Sequence, residues 1–260
     1  MDLNILYTLA GFSVGVLVGL TGIGGGALMT PLLILVFKVP VLVAVSTDLL
    51  YAAVTKGAGV VNYAKRGLVK WPVVGLMLTG SLPGSWLMIN QLEHFEALEA
   101  LINTVLGISL LLTAAAVLLR GRILAWVDRL PPAATSANAA RWRALATVMM
   151  GLLLGALVTL SSVGAGALGT ALLIICYPRM AMRSVVGTDL VHAVVLTGFA
   201  SYGHYSLGNI DFSLLFWLLL GSLPGVSIGS YYGAKLSSTL MQPVIATMLL
   251  GIGGYFIFAA

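Results

Sequence analysis

The feature that most constrains this chain is its succession of long apolar segments. A membrane-crossing helix needs about 20 mostly apolar residues, and only helices or closed β-barrels satisfy their backbone polar groups in lipid. A barrel would show strands of alternating polarity, and these runs do not alternate. The apolar runs fall near residues 4–21, 22–37, 41–63, 71–90, 97–119, 144–160, 163–177, 184–203, 212–232 and 238–259. The sequence therefore predicts an all-α polytopic membrane protein with ten apolar segments.

The composition excludes several other classes of protein. Of 260 residues, 60% are hydrophobic and 8% are charged, whereas an ordinary soluble domain carries about 25% charged residues. A soluble enzyme, a disordered protein or a nucleic-acid binder would need far more charge. The single cysteine, Cys176, excludes a disulfide framework and a multi-cysteine metal site. No metal-ligand cluster, nucleophile–base pair or cofactor motif stands out, so we expect no cofactor and no enzymatic activity.

The few charged residues predict the orientation in the membrane. Cytoplasmic loops carry an excess of Lys and Arg. If the N-terminus faces outward, Lys38, Glu93, Glu96, Glu99 and Asp211 fall outside. The other side receives Lys65, Arg66, Lys70, Arg120, Arg122, Arg129, Arg141, Arg143, Arg179, Arg183 and Lys235. We therefore expect both termini on the periplasmic or extracellular side, and loops that account for the net charge of +5 without a nucleic-acid partner.

The two halves of the chain are related by an internal repeat with an offset of about 140 residues. The matching stretches are 22–30 with 162–170, 45–49 with 186–190, and 80–84 with 221–225. Each half has five apolar segments, an odd number, so the second half enters the membrane from the opposite side. This inverted-topology repeat is a common transporter architecture.

The domain boundaries follow from the repeat. The predicted units are an N-terminal membrane repeat over 1–119, a cytoplasmic linker over 120–143 and a C-terminal membrane repeat over 144–260. In each half, the first two segments are joined only by a glycine cluster. They form either two full spans with a tight turn or a re-entrant hairpin, which leaves ten or eight principal transmembrane helices.

Two aspartates stand at equivalent positions inside apolar segments. Asp48 and Asp189 each cost at least ~2.5 kcal/mol to place in lipid, so such residues usually face a cavity or a partner. They act as proton carriers or polar cavity walls, or they cap half-helices that begin after a break at Ser46 or Gly187.

Lys56 is the basic residue placed well inside a predicted segment, eight positions after Asp48 and on roughly the same helical face. It supplies a positive charge for an anionic substrate, forms an ion pair with Asp48, or extends its side chain to the membrane interface.

Two histidines lie in or next to the eighth segment. His192 is the repeat counterpart of Tyr51 and follows Asp189 by one helical turn, so it either relays a proton with that aspartate or makes a structural hydrogen bond. His204 lies near the outer end of the segment and is interpreted as a loop or interface residue.

The glycine clusters, represented by Gly24, Gly25, Gly26, Gly164 and Gly166, have two interpretations. Small residues let membrane helices approach closely. Alternatively, they leave open backbone amides at the starts of the second and seventh segments, where helix N-termini attract anions. In that interpretation the hydroxyl groups of Thr30 and Thr170 add donors.

Residues 21–26 (TGIGGG), 44–48 (AVSTD) and 80–85 (GSLPGS) resemble the TauE/SafE family of sulfite exporter permeases. The pattern recurs in both repeats, so the resemblance covers nearly the whole chain. It implies transport of sulfite, thiosulfate or organosulfonates, and it favours eight principal helices with re-entrant glycine hairpins.

These observations together predict a secondary transporter of small sulfur-containing anions in the bacterial inner membrane, working by alternating access. The substrate site is assigned to Lys56, Gly24, Gly25, Gly26, Thr30, Gly164, Gly166 and Thr170. Proton coupling or the cavity wall is assigned to Asp48, Asp189, His192 and Tyr51. A carrier for small carboxylates and a passive anion channel are the alternatives. The expected partners are the anion, the lipid bilayer and a second copy of the chain.

Overall fold

The computed structural model describes residues 3–21, 26–92, 98–129, 137–233 and 238–258, and within them every regular element is a helix. The described helices are α1 (Leu3–Thr21), α2 (Gly26–Leu35), α3 (Val41–Lys65), α4 (Trp71–Gln91), α5 (Leu98–Asp128), α6 (Ala137–Ser161), α7 (Ala167–Cys176), α8 (Met182–Ser206), α9 (Phe212–Gly233) and α10 (Ser238–Phe258). They correspond one to one with the ten predicted segments, and the prediction of an all-α membrane protein is confirmed.

The helices differ in length. In the described residues, seven are long and apolar enough to cross a membrane: α1, α3, α4, α5, α6, α8 and α9. The glycine-rich segments form only ten-residue helices, α2 and α7, each about 15 Å long, half of a hydrocarbon core of about 30 Å. These lengths favour the re-entrant alternative. Helices α5 and α6 extend into the predicted linker, to Asp128 and from Ala137.

Equivalent helices of the two repeats end in the same way. After α3, Gly67 has φ +65° and the Leu68 amide donates to the Tyr63 carbonyl at 3.1 Å. After α8, Gly208 has φ +75° and the Asn209 amide donates to the His204 carbonyl at 3.2 Å. Both are Schellman caps, in which glycine adopts the left-handed conformation that other residues avoid. A glycine at the same place in each repeat therefore stops both helices.

Glycine stripes hold pairs of helices in backbone contact. On α1, a Cβ added at Gly15 would lie 2.6 Å from the Ser222 carbonyl oxygen of α9. On α6, a Cβ added at Gly155 would collide with the Ser81 carbonyl oxygen of α4. Glycines spaced four residues apart allow such close packing of membrane helices. In both cases the first helix of one repeat packs against the fourth helix of the other.

Helices α3 and α8 form the centre of the bundle and run antiparallel. Ser46, near the start of α3, contacts His204 near the end of α8. Tyr63, near the end of α3, lies against Gly187 near the start of α8. Both helices are continuous through these positions. The half-helices expected to begin after a break at Ser46 or Gly187 are therefore not formed, since the backbone ladder continues through both residues.

Candidate functional site

Lys56 reaches from α3 into the glycine loop of the other repeat. Its Nζ donates a hydrogen bond of 2.6 Å to the carbonyl oxygen of Ala165, in the loop between α6 and α7. The side chain is only 8% exposed, so it does not extend to the membrane interface. An ammonium group has three donor hydrogens, and the bond to Ala165 uses one of them.

The loop that Lys56 touches has an unusual backbone. Gly164 has φ +105° and Gly166 has φ +135°, values that side-chain-bearing residues rarely adopt. Gly166 is the N-cap of α7, so the loop turns directly into the start of that helix. The first amides of a helix have no partner within it and carry partial positive charge. The carbonyl group that accepts from Lys56, at Ala165, thus lies two residues before the first residue of this helix.

The corresponding loop of the first repeat lies largely outside the described residues. Gly24 and Gly25 belong to that undescribed part, and Gly26 is the first residue of α2. The predicted role of these three glycines in anion binding therefore stays a prediction.

The two aspartates have equivalent hydrogen-bond partners. Thr30 Oγ1 donates to Asp48 Oδ2 at 2.5 Å, and Thr170 Oγ1 donates to Asp189 Oδ2 at 3.0 Å. Both carboxyl groups are buried. Within the described part of the chain, Oδ1 of each has no hydrogen-bond partner. The predicted substrate residues Thr30 and Thr170 therefore hold the two carboxyl groups, and each carboxyl group keeps one oxygen able to bind a proton.

Space around Asp189 is tightly limited. A Cβ added at Gly169 of α7 would collide with Asp189 Oδ1. Gly169, which also belongs to the second glycine cluster, therefore allows a helix to approach a carboxyl group closely. This agrees with the packing interpretation of these glycines.

Tyr51 and His192 follow the aspartates by one turn but do not bond to them. His192 Nε2 lies 2.9 Å from Ser81 Oγ of α4. Tyr51 lies near Ser222 of α9, the repeat counterpart of Ser81. Among the described residues, His192 Nδ1 and the Tyr51 hydroxyl have no hydrogen-bond partner. Of the two interpretations of His192, a direct pair with Asp189 is not formed, and the structural hydrogen bond is observed.

A cavity of about 490 Å³ brings part of the predicted site together. Its wall includes Lys56, Gly166, Thr170 and Asp189, and it is otherwise largely apolar. The lining does not include Asp48, which packs deeper in the bundle. In size and polarity the cavity resembles a small-molecule site, which combines apolar walls with a few convergent polar groups.

The cavity extends toward the basic end of the bundle. Its lining includes Tyr63 near the end of α3, Arg120 toward the end of α5 and Gln242 near the start of α10. Basic residues such as Lys65, the last residue of α3, and Arg66, directly after it, lie at this end. The site at Lys56 is thus reached from the side that the charge pattern assigns to the cytoplasm.

The other end of the bundle holds His204 in its interior. This side chain is fully buried. Its Nδ1 lies 2.6 Å from Ser46 Oγ, and its Nε2 lies 3.1 Å from the Thr159 carbonyl oxygen. A carbonyl only accepts, so Nε2 donates to Thr159, while Ser46 Oγ also donates to the Leu42 carbonyl oxygen at 2.6 Å. The interpretation of His204 as a loop or interface residue is wrong, because α8 continues to Ser206 and carries the ring into the helix interface.

The repeat relates the contacts around His204 to the cavity. Thr159 Oγ1 also donates to Ser85 Oγ at 2.7 Å, which ties α6 to α4 beside His204. His204 and Ser85 correspond to Tyr63 and Val226, each 141 positions away, the offset that relates Asp48 to Asp189. Tyr63 and Val226 both line the cavity. Positions that bond to Thr159 at one end of the molecule thus have repeat counterparts that line the cavity at the other end.

The described residues offer no site for a metal ion. No group of three or more His, Cys, Asp or Glu side chains comes together among them. The polar groups that converge at the cavity are instead a cation, a carboxyl group, a hydroxyl and a helix start. That set suits a small anion whose charge is balanced by the lysine.

Comparisons with known proteins agree with this description. The family model described as "Sulfite exporter TauE/SafE" matches residues 7–256. The chain is 35% identical over 256 residues to "Probable membrane transporter protein YjnA" of Bacillus subtilis (strain 168), covering 96% of this chain and 98% of that protein. It is 25% identical over 244 residues to "Probable membrane transporter protein YdhB" of the same organism, covering 94% of each. No solved structure matches the chain.

Proposed function

The chain belongs to the TauE/SafE sulfite exporter family of membrane transporters, and we propose on that premise that it carries small sulfur-containing anions such as sulfite, thiosulfate or organosulfonates. The observation that carries the proposal is the buried Lys56 ammonium group, which lines the cavity and contacts the glycine loop before α7. A buried cation beside a helix N-terminus attracts an oxyanion through both charge and backbone amides.

We propose that transport proceeds by alternating access. The cavity leads from Lys56 to the basic end of the bundle, and the opposite end is held shut by the contacts of His204 with Ser46 and Thr159. A transporter must expose one site to each side in turn. In the opposite state, the positions around Tyr63 would close and those around His204 would separate.

The proposal includes an inverted-topology repeat. Helices α3 and α8 occupy equivalent places in the two halves and pack antiparallel, with Ser46 beside His204 and Tyr63 beside Gly187. Two equivalent helices can be antiparallel only if one half is turned over relative to the other. Such halves commonly place the substrate site near the membrane midplane and exchange roles during transport.

We further propose a bacterial inner-membrane location with both termini outside. The basic residues at the ends of α3 and α5 and at the start of α8 support this orientation through the positive-inside tendency. The cavity then faces the cytoplasm in the conformation seen here, from which an anion is taken for export.

Charge balance supports coupling of the anion to protons. Asp48, Lys56 and Asp189 are all buried, and with both carboxyl groups ionised they sum to a net charge of −1. A monoanion would make the sum more negative inside a low-dielectric bundle, where isolated charge is costly. With both carboxyl groups protonated the site is +1, and the monoanion neutralises it. We propose that Asp48 and Asp189 carry these protons.

Purified protein in proteoliposomes tests the function. We expect saturable uptake of at least one of sulfite, thiosulfate and sulfoacetate, little uptake of acetate, and loss of accumulation when a protonophore collapses an imposed pH gradient. Empty liposomes provide the background. Uptake of acetate alone would replace the proposal with a carboxylate carrier, and non-saturating flux without proton dependence would replace it with a passive channel.

The closed end predicts a shift in accessibility. With Cys176→Ser as background, Ala171→Cys places a thiol on the cavity wall. We expect a membrane-impermeant maleimide to label it in inverted vesicles and poorly from outside. Adding His204→Ala removes both ring contacts and should raise labelling from outside several-fold, because the outward-open state becomes more populated.

The matched control for this experiment is Tyr202→Ala. Tyr202 lies on the same helix, half a turn before His204, and is 72% exposed. The Tyr202→Ala substitution should leave the labelling pattern unchanged. Equal outside labelling with and without His204→Ala would show that the His204 contacts do not hold the outer end closed.

A further inference from the structure

Arg120 lies within helix α5 and not in the linker that the sequence predicts. The charge count assigned it to the cytoplasmic linker, but α5 continues to Asp128 and carries Arg120 as part of the helix. The side chain is half-buried and lines the same cavity as Lys56. The cavity wall therefore holds two cationic side chains, and only Lys56 has a role in the function proposed above.

The guanidinium group of Arg120 has no bonding partner in the described part of the chain. No hydrogen bond or ion pair to another described residue involves it, although a half-buried charge normally finds a partner. The cavity lining contains one carboxyl group, Asp189, and this group already accepts from Thr170. Arg120 is thus a half-buried cation with five donor hydrogens and no bound acceptor.

The polar residues that α9 and α10 contribute to the lining are neutral. Ser227 and Ser230 of α9 and Gln242 of α10 complete this part of the wall. Hydroxyl and amide groups can donate further hydrogen bonds to an anion. The lining thus has an inner group of polar residues around Lys56 and further polar residues, Arg120 among them, on α5, α9 and α10 toward the basic end.

We propose that Arg120 binds the transported anion at the cytoplasmic mouth of the cavity and determines its apparent affinity from that side. The inference rests on the proposed function, because the ligand is the same anion that Lys56 receives. A guanidinium group binds an oxyanion through two parallel N–H···O bonds. An anion held there is already inside the cavity. Its charge is therefore balanced by Arg120 before it reaches Lys56.

The phosphate of a lipid headgroup presents the same chemistry to an arginine near the membrane surface. In that case Arg120 would anchor α5 and would not contact substrate. The two sources are separated by transport kinetics. A substrate contact changes KM on one side of the membrane, whereas a lipid contact leaves KM unchanged and alters stability with the lipid composition.

The experiment measures transport of the sulfur anion that the wild-type protein carries best, with substrate added to either face. Inverted vesicles present the cytoplasmic face, and right-side-out vesicles present the other. We expect Arg120→Gln to raise KM about tenfold at the cytoplasmic face, with KM at the opposite face unchanged. Arg120→Lys keeps the positive charge but loses the planar guanidinium group that makes two parallel hydrogen bonds, so an intermediate KM is expected.

Arg122→Gln is the matched control. Arg122 lies two positions later on α5, is exposed and lies outside the cavity lining, so it reports any general effect of lowering the surface charge. Equal KM values for Arg120→Gln and Arg122→Gln at the cytoplasmic face would overturn the inference and leave the proposed function standing. Absence of sulfur-anion flux in the wild-type protein would overturn both. The Arg120→Lys variant, if its thermal unfolding matches that of the wild-type protein, shows that a changed KM does not come from misfolding.

Discussion

Replacing Lys56 with alanine is expected to reduce transport of the sulfur anion by at least about tenfold. The substitution removes the buried cation of the cavity and its hydrogen bond to the Ala165 carbonyl. A hydrogen bond between this cation and the bound anion would contribute about 1.5–3 kcal/mol, so its loss alone corresponds to a factor of ten or more in affinity. The variant also leaves Asp189 without the nearby positive charge.

The measurement is uptake into proteoliposomes, normalised to the amount of folded protein. Lys65→Ala is the matched control, since Lys65 lies on the same helix but is exposed at its basic end. Lys56→Arg should retain part of the activity, because it keeps the charge and a donor toward the loop. Full transport by a correctly folded Lys56→Ala protein would remove Lys56 from the substrate site.

Replacing Gly80 with alanine is expected to destabilise the protein by about 1–3 kcal/mol, the usual range for an overpacked site, and Gly80→Leu by more. A Cβ at Gly80 of α4 would collide with the Val148 carbonyl oxygen of α6 and lie 2.8 Å from the Leu152 amide nitrogen. These atoms belong to the backbone of a neighbouring helix. The contact can therefore be relieved only by moving the two helices apart.

Thermal unfolding in detergent measures this effect, and Gly75→Ala is its control. Gly75 lies on the same helix, and a Cβ added there would meet no atom within 4 Å. Because alanine favours a helix over glycine, Gly75→Ala should leave the melting temperature unchanged or slightly raise it. Equal melting temperatures for the two alanine variants would show that α4 and α6 are not held at backbone contact. Gly221 of α9 faces the Thr8 carbonyl of α1 in the same way.

Much of the fold could be predicted because its information is local. Runs of apolar residues about 20 long identify membrane helices wherever they occur, and the observed helices begin and end within a few residues of most predicted segments. The repeat placed Asp48 and Asp189 at equivalent positions, and both are buried with a threonine donor. Lys56 was recognised because a basic residue so far inside an apolar run is rare.

Other parts of the site depend on contacts between distant segments. His204 lies near the end of α8 in sequence, but Ser46 and Thr159 from two other helices enclose it. The hydrogen bond of His192 goes to Ser81 and not to the nearby Asp189. In both cases the hydrogen-bond partners of the histidine lie far away in the sequence, on other helices, and come near it only in the folded protein. No local pattern distinguishes such a histidine from one at a membrane interface.

The sequence by itself determined that this chain is a membrane protein of ten helical segments with a duplicated core and ionisable residues inside it. Hydrophobic length, charge asymmetry and an internal repeat are properties of the chain alone. Only the tertiary structure decided that Lys56 contacts the second glycine loop, that Arg120 shares its cavity and that Ser46 and Thr159 enclose His204. These features depend on which helix faces lie together, and in lipid that is set by close packing and interhelical hydrogen bonds rather than by burial of apolar surface.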